Sequence, residues 1–242
     1  MLEKFNRNGK TALITGSSRG LGAGIALALA EAGANVAIHG SHKAPEATPE
    51  MFSKIGANQF SVVGDVGDAS VRSRLIEHVI DHFGAIDILV NDAGTIRSAP
   101  AADHSEEDWQ AVINTNLTSV FLLTRDAGKH MLARGSGKVM VIASVLNISG
   151  RNPGSLRYRR ESRRGTMTKA FANEWASKGG NMNAIASGYS RETIPQQYGQ
   201  TRSVPVKSWN GFPLNVGAAP GDLSGAIVFL ASRASDDGTG MG

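Results

Sequence analysis

The chain has 242 residues, 41% of them hydrophobic, no cysteine and a formal net charge of +4. It is long enough to bury a core, and its composition is that of a folded protein. The lack of cysteine excludes disulfides, thiolate metal ligands and a cysteine nucleophile, and no metal site is expected. The excess charge lies in residues 151–164, which contain six arginines and one glutamate. Because no aromatic stacking platform accompanies these arginines, we expect no nucleic-acid partner.

The predicted elements alternate between strands and helices along the whole chain. Six apolar runs of strand length lie at residues 11–15, 35–39, 60–64, 86–90, 138–142 and 182–186. Helical patterns lie at residues 20–32, 69–83, 105–133 (a pair of helices), 166–178 and 222–232. This alternation predicts an α/β fold, namely a single-domain Rossmann fold over residues 1–242 with a doubly wound parallel sheet.

Two further features concern the surroundings of this predicted domain. Residues 190–217 contain scattered Pro, Gly and Gln, and we expect them to form a substrate loop. No apolar run reaches membrane-spanning length, and the first ten residues lack a signal-peptide core. We therefore expect a cytoplasmic protein with no membrane contact.

A glycine-rich turn directly follows the first predicted strand. It reads Thr15-Gly16-Ser17-Ser18-Arg19-Gly20-Leu21-Gly22 and leads into a helix. The glycines allow a tight turn and a close approach of the backbone, and a helix N-terminus offers N–H groups with partial positive charge. The turn is therefore a candidate pyrophosphate site, although the motif alone is also compatible with a turn that binds nothing.

This turn resembles the T-G-x-x-x-G-x-G fingerprint of the short-chain dehydrogenase/reductase family, and the family's other motifs follow in order. They are Gly64-Asp65-Val66, Asn91-Asp92-Ala93-Gly94, Asn116-Leu117, Ile142-Ala143-Ser144, Asn183-Ala184-Ile185-Ala186 and Gly188-Tyr189. The resemblance spans about residues 8–235. It implies hydride transfer between a nicotinamide cofactor and a small-molecule substrate by a homo-oligomer, either a dimer or a homotetramer. The family's seventh strand and its Asp-Gly-Gly ending are missing from the sequence, so six strands are expected.

The resemblance also implies a set of cofactor-binding residues. They are Gly16, Ser18, Arg19, Gly20, Leu21, Gly22, Ser41, Asp65, Val66, Asn91, Ala93, Gly94, Gly188 and Ser190. NAD-dependent members usually carry an acid at the end of the second strand, where this chain has Gly40 followed by Ser41. Arg19 in the glycine turn and Lys43 would meet a 2′-phosphate, unless they are only solvated surface charges. We therefore expect NADP, with NAD as the alternative.

The catalytic residues of the family are only partly present. The resemblance assigns Ser144 and Asn116 to the catalytic Ser and Asn, and Tyr158 to the Tyr, one residue later than the family spacing. The family's Lys should follow four residues after the Tyr, but Ser162 stands there and Lys169 is eleven residues away. The Tyr-x-x-x-Lys element is thus absent as written.

Three interpretations of this difference remain open. The protein could be a degenerate member that binds dinucleotide without efficient chemistry, or an arginine such as Arg159 or Arg163 could supply the cation. In the third interpretation, a one-base frame shift in this part of the gene has turned alanine codons (GCC, GCG) into arginine codons (CGC, CGG). The resumption of the family pattern at Met167 favours the third.

The substrate class also follows from the resemblance, which is greatest to the gluconate 5-dehydrogenase and 2-deoxygluconate 3-dehydrogenase group. It rests on the stretches around Arg97, Asn147 and Glu174. Arg97 would bind a substrate carboxylate and Asn147 a sugar hydroxyl, unless Arg97 is merely a solvated loop residue and Asn147 only caps a turn. A 3-oxoacyl-thioester reductase and a non-catalytic dinucleotide-binding protein are the alternatives.

Overall fold

A computed structural model describes residues 2–42, 52–97, 99–144, 158–187 and 220–240 of the chain. The strands are β1 (Thr11–Thr15), β2 (Asn35–Gly40), β3 (Gln59–Val63), β4 (Ile88–Asn91), β5 (Gly137–Ser144) and β6 (Gly180–Ser187). They form one sheet in the order β3-β2-β1-β4-β5-β6, and every pair of neighbours is parallel. The predicted α/β Rossmann fold with six strands is therefore confirmed.

Six α-helices of seven residues or more connect or flank these strands within the described ranges. They are α1 (Gly20–Glu31), α2 (Ala69–Phe83), α3 (Glu106–Ile113), α4 (Ser119–Ala133), α5 (Tyr158–Trp175) and α6 (Ser224–Leu230). A π-helical segment, Asn114–Thr118, joins α3 to α4. Helix α5 begins at Tyr158 rather than near residue 166. Arginine has a high helix propensity, so the arginine-rich stretch extends the helix although it lacks an apolar period.

The sheet is covered on both faces, which explains why its strands are apolar throughout. Successive strand residues point to opposite faces. Leu13 packs in the core that the sheet forms with α2, α4 and α5, whereas its neighbour Ile14 packs in the core formed with α1 and α6. Both residues are fully buried.

The strand order places a crevice at the carboxyl end of β1. This strand pairs with β2 on one side and with β4 on the other, so the connections leave it in opposite directions. Ligands of open α/β sheets bind at such a switch point. None of the helices in the described ranges is both long enough and apolar enough to cross a membrane.

Candidate active site

The glycine turn after β1 is held close to the backbone of the turn after β4. Gly16 has a φ of 75°, and a Cβ atom there would lie 2.9 Å from the Cα atom of Ala93. A Cβ atom at Gly22 would lie 2.6 Å from the carbonyl oxygen of Gly16. Only glycine fits these two positions, so the start of α1 lies directly against the crevice. Arg19 precedes α1 as an exposed residue, and its side chain does not cap the helix.

The turn after β4 is tied to β1 by a threonine hydroxyl. Thr15 Oγ1 accepts hydrogen bonds from the backbone N–H groups of Asp92 (3.1 Å) and Ala93 (3.2 Å). The side chain of Asn91 is buried and donates to Thr124 Oγ1 of α4 at 3.1 Å. Of the residues expected to bind cofactor, Gly16, Ala93 and Gly94 thus lie at the crevice, whereas the Asn91 side chain points away from it into the core.

A buried histidine connects the glycine turn to the turn after β3. His39 is 1% exposed, and its Nδ1 accepts from the N–H of Gly16 at 3.1 Å. Nε2 therefore carries the proton and donates to the carbonyl oxygen of Gly64 at 2.8 Å. Burial lowers the pKa of His39, against smaller opposing effects of the Gly64 hydrogen bond and the Asp65 charge. Sequence reasoning missed His39; the signal was a histidine in an otherwise apolar strand, next to Gly40.

The residues expected near the adenine follow this turn. Asp65 is exposed, and its Oδ1 accepts from the N–H of Gly67 at 2.7 Å. Val66 is buried, and its carbonyl accepts from Nη1 of the buried Arg72 at 2.7 Å. At the end of β2, Ser41 is exposed. These contacts hold the turn after β3 at the same edge of the sheet as the glycine turn.

Asn116 lies in the π-helical segment and holds the loop that follows β4. Its buried side chain accepts from the N–H of Thr95 and donates to the carbonyl of the same residue, both at 2.8 Å. Asn116 therefore forms a two-point hydrogen bond with one backbone position. The π-helical turn matters here because such turns often mark functional sites in helices.

Arg164 of α5 is a buried cation that sequence reasoning missed. It is 3% exposed, and it donates to the carbonyl oxygens of Asn116 (2.6 Å), Ile142 (2.8 Å) and Ala93 (3.3 Å). These carbonyls belong to the π-helical segment, the end of β5 and the turn after β4. One guanidinium thus joins three elements at the carboxyl edge of the sheet. No local sequence signal distinguishes Arg164 from the arginines beside it.

The remaining catalytic candidates are placed by their backbone alone. Ser144 is the last residue of β5 and stands opposite Ser187 of β6. Tyr158 is the first residue of α5. The side chains of Ser144 and Tyr158, and those of Arg159 and Arg163, lie outside the described part of the structure. The predicted residues Asn147, Gly188 and Ser190 lie outside the described residues altogether, as does the whole of the sequence 190–217 that was expected to form the substrate loop.

Arg97 lies on the loop that Asn116 holds. Its Nη1 donates to Thr95 Oγ1 and to the carbonyl of Ile96, both at 3.1 Å, and its Nε is 3.2 Å from Asp108 Oδ1. The side chains of Arg97 and Asp108 are 40% and 42% exposed. The guanidinium is thus oriented by three groups and still open to solvent. Across the described ranges, no cluster of three His, Asp or Glu side chains could hold a metal ion.

Comparison with known proteins identifies one family and several similar chains. The profile of the short chain dehydrogenase family matches residues 10–202. The 2-dehydro-3-deoxy-D-gluconate 5-dehydrogenase of Pseudoalteromonas atlantica is 40% identical over 242 residues, covering 97% of this chain and 93% of that protein. A 3-oxoacyl-[acyl-carrier-protein] reductase of Staphylococcus aureus is 35% identical over 227 residues, covering 92% of this chain and 91% of that protein. A crystal structure of a gluconate 5-dehydrogenase from Burkholderia cenocepacia, in complex with NADP and tartrate, has a TM-score of 0.88 and 34% identity, covering 99% of this chain and 94% of that one.

Proposed function

Because the chain belongs to the short chain dehydrogenase family, we propose that it is an NADP-dependent oxidoreductase acting on a sugar acid of the gluconate type. The family expected from the sequence motifs is confirmed by the match over residues 10–202. The observation that carries the proposal is the glycine turn, held against the turn after β4 at the switch point of the sheet. The 40% identical sugar-acid dehydrogenase supports the substrate class.

The residues at this edge fit a dinucleotide. Gly16 and Gly22 leave a cradle that a Cβ atom would fill, and α1 begins at its rim. No acid stands at the end of β2 to bind a ribose 2′-hydroxyl, and the exposed Arg19 lies where it could meet a 2′-phosphate. When bound, NADP supplies the nicotinamide ring that exchanges the hydride. Ser18, Gly20, Leu21, Ser41, Asp65 and Val66 are proposed to line the same site.

Ser144 and Tyr158 are proposed to act on the reacting oxygen of the substrate. Ser144 ends β5 and Tyr158 begins α5. In this role Ser144 would donate a hydrogen bond, and the Tyr158 hydroxyl would give or take the proton. Asn116 holds the loop after β4 in place through Thr95.

Arg164 is proposed to supply the positive charge that the missing lysine would otherwise provide. Among the described side chains, it is the buried cation at the β4–β5 edge, and it contacts the backbone of Asn116. A cation on the same helix as Tyr158 would favour loss of its proton, because positive charge stabilises a phenolate. Arginine stays protonated, however, and cannot itself pass a proton on. We therefore assign it an electrostatic and positioning role only.

The carboxylate of the substrate is proposed to bind Arg97. This guanidinium is held by Thr95, Ile96 and Asp108 but remains two-fifths exposed, so a carboxylate can reach it. Asn147 is proposed to bind a sugar hydroxyl, and Gly188 and Ser190 are proposed to bind the cofactor. Residues 190–217 are proposed to form a loop over the substrate. The chain is proposed to form one domain throughout.

An activity screen tests this function. The protein should turn over gluconate or 2-dehydro-3-deoxygluconate with NADP(H), and acetoacetyl thioester with NADPH much more slowly. The Staphylococcus aureus relative makes the thioester reductase the second candidate. Faster turnover of the thioester would reverse this order. NADPH binding without turnover of either substrate would indicate a non-catalytic dinucleotide-binding protein.

We also propose a homo-oligomer, a dimer or tetramer, in the cytoplasm. Phe121 of α4 is exposed beside Phe171 of α5, with ring centroids 5.6 Å apart, and this apolar surface could pack against a second copy. The cytoplasm is proposed because the cofactor pool that the reaction needs is intracellular. Light scattering coupled to size exclusion checks the assembly.

A further inference from the structure

His39 sits between the two glycine turns that border the proposed dinucleotide site. Its ring accepts from Gly16 and donates to Gly64. Its backbone N–H also donates to Ser17 Oγ at 2.8 Å, and that hydroxyl donates to the carbonyl of Ile14. Three hydrogen bonds therefore connect one residue of β2 to the turns on both sides of it.

We propose that His39 is a positioning residue for the dinucleotide, which locks the glycine turn after β1 to the turn after β3. This inference rests on the proposed function, since it requires that a dinucleotide binds here. Gly16 has a φ of 75°, in the region that favours glycine, so its peptide groups have more rotational freedom than those of other residues. The acceptor at Nδ1 fixes the N–H of Gly16 and thereby the direction of the amides that follow.

The turn after β3 is restrained in the same way. Gly64 has a φ of 153°, and a Cβ atom there would lie 2.6 Å from Cγ1 of Val71. The Nε2 proton of His39 holds its carbonyl oxygen. One imidazole thus sets the relative position of the turn proposed for the pyrophosphate and the turn proposed for the adenine. A dinucleotide that spans both turns would bind more tightly to this fixed spacing, because less ordering is needed on binding.

This arrangement requires a neutral imidazole. A protonated ring carries a donor at both nitrogens, so Nδ1–H would face the N–H of Gly16 across 3.1 Å. The glycine turn would then have to move away. The negative charge of Asp65 favours the protonated form of the ring, whereas burial opposes that form more strongly. Acidification should therefore release the glycine turn and weaken dinucleotide binding.

The test is NADPH binding by fluorescence titration between about pH 4.5 and pH 8.5, a range that extends below the usual titration of histidine because burial lowers the pKa of His39. His39→Asn keeps an acceptor near the position of Nδ1 but cannot be protonated, and His39→Leu removes both ring contacts. We expect His39→Leu to bind NADPH about tenfold more weakly at the alkaline end, because the N–H of Gly16 loses its acceptor and a buried hydrogen bond has about this effect. At the alkaline end, the NADPH affinity of His39→Asn should stay within about threefold of that of the wild type. At acid pH, its affinity should fall less than that of the wild type.

The exposed His130 near the end of α4 provides the matched control, and His130→Asn should bind as the wild type does at every pH. The 2′-phosphate of NADPH itself titrates near pH ~6, but it does so equally in every variant, so the difference between variants isolates His39. Thermal melts at each pH establish that each variant is folded. If His39→Leu does not fold, the proposal is tested by comparing His39→Asn with the wild type. Identical pH profiles for wild type and His39→Asn would overturn the proposal. A wild-type protein that binds no NADPH at any pH would instead refute the proposed function.

Discussion

Replacing Arg164 with methionine should destabilise the protein and disturb its active edge. The change removes hydrogen bonds to three carbonyls, at 2.6, 2.8 and 3.3 Å, from a side chain that is 3% exposed. Hydrogen bonds from a charged group contribute about 1.5–3 kcal/mol each, or roughly 5–9 kcal/mol for three. The cost of burying the guanidinium, which is several kcal/mol, offsets part of this gain. We expect a net loss of about 3 kcal/mol in the free energy of unfolding, which corresponds to a fall in Tm of about 6–12 °C.

Calorimetry or denaturant unfolding measures this loss, and Arg125→Met serves as the control. Arg125 lies on the exposed face of α4 and pairs with Asp126, so its replacement should change the free energy of unfolding by less than about 0.5 kcal/mol. Arg164→Lys keeps the charge but not the three-way geometry, and it should recover part of both the stability and the turnover. Equal stability of Arg164→Met and Arg125→Met would refute the assignment of Arg164 as the group that joins these elements.

The other predictions concern the cofactor cradle, the substrate clamp, the acid stability and the sequence of α5. Gly22→Ala places a Cβ atom 2.6 Å from a backbone oxygen, so NADPH affinity should fall at least about a hundredfold in fluorescence titrations. Arg97→Met should raise the KM for a sugar acid about tenfold to a hundredfold with a much smaller change in kcat, whereas equal losses in both would contradict a binding role. Burial lowers the pKa of His39, so the unfolded state takes up the proton first as the pH falls. The stability that the neutral ring contributes is therefore complete above about pH 6.5 and declines below it. In chemical unfolding, His39→Leu should lose less stability over this range than the wild type does. Peptide mapping by mass spectrometry across residues 150–170 should find the arginine-rich peptide if the reading frame is intact, and small residues with a lysine if it is shifted.

Much of the fold could be predicted because its signals are local. Each strand is a short apolar run, and α2 was predicted at its observed bounds from the spacing of Val71, Leu75, Val79 and Phe83. The glycine turn was also recognised from neighbouring residues. Where a local signal was ambiguous, the prediction failed: the start of α5 lies in a stretch without apolar periodicity, and helix propensity decided it.

The candidate site could be predicted only in part, because several of its contacts join residues far apart in the sequence. Asn116 was expected at the site from its motif, but its pairing with Thr95 was not. The contact of Arg164 with Ala93 spans 71 positions, and those of His39 with Gly16 and Gly64 span 23 and 25.

The sequence by itself thus determined the alternation of elements and the glycine turn and, through the resemblance of its ordered motifs, the family. Each of these signals lies within a few neighbouring residues. The tertiary structure alone decided that Arg164 is buried where three elements meet and that the buried His39 joins two turns. A guanidinium or an imidazole is stable inside a protein only where its polar atoms form hydrogen bonds. Here the partners are backbone groups from distant parts of the sequence, which come together only in the folded chain.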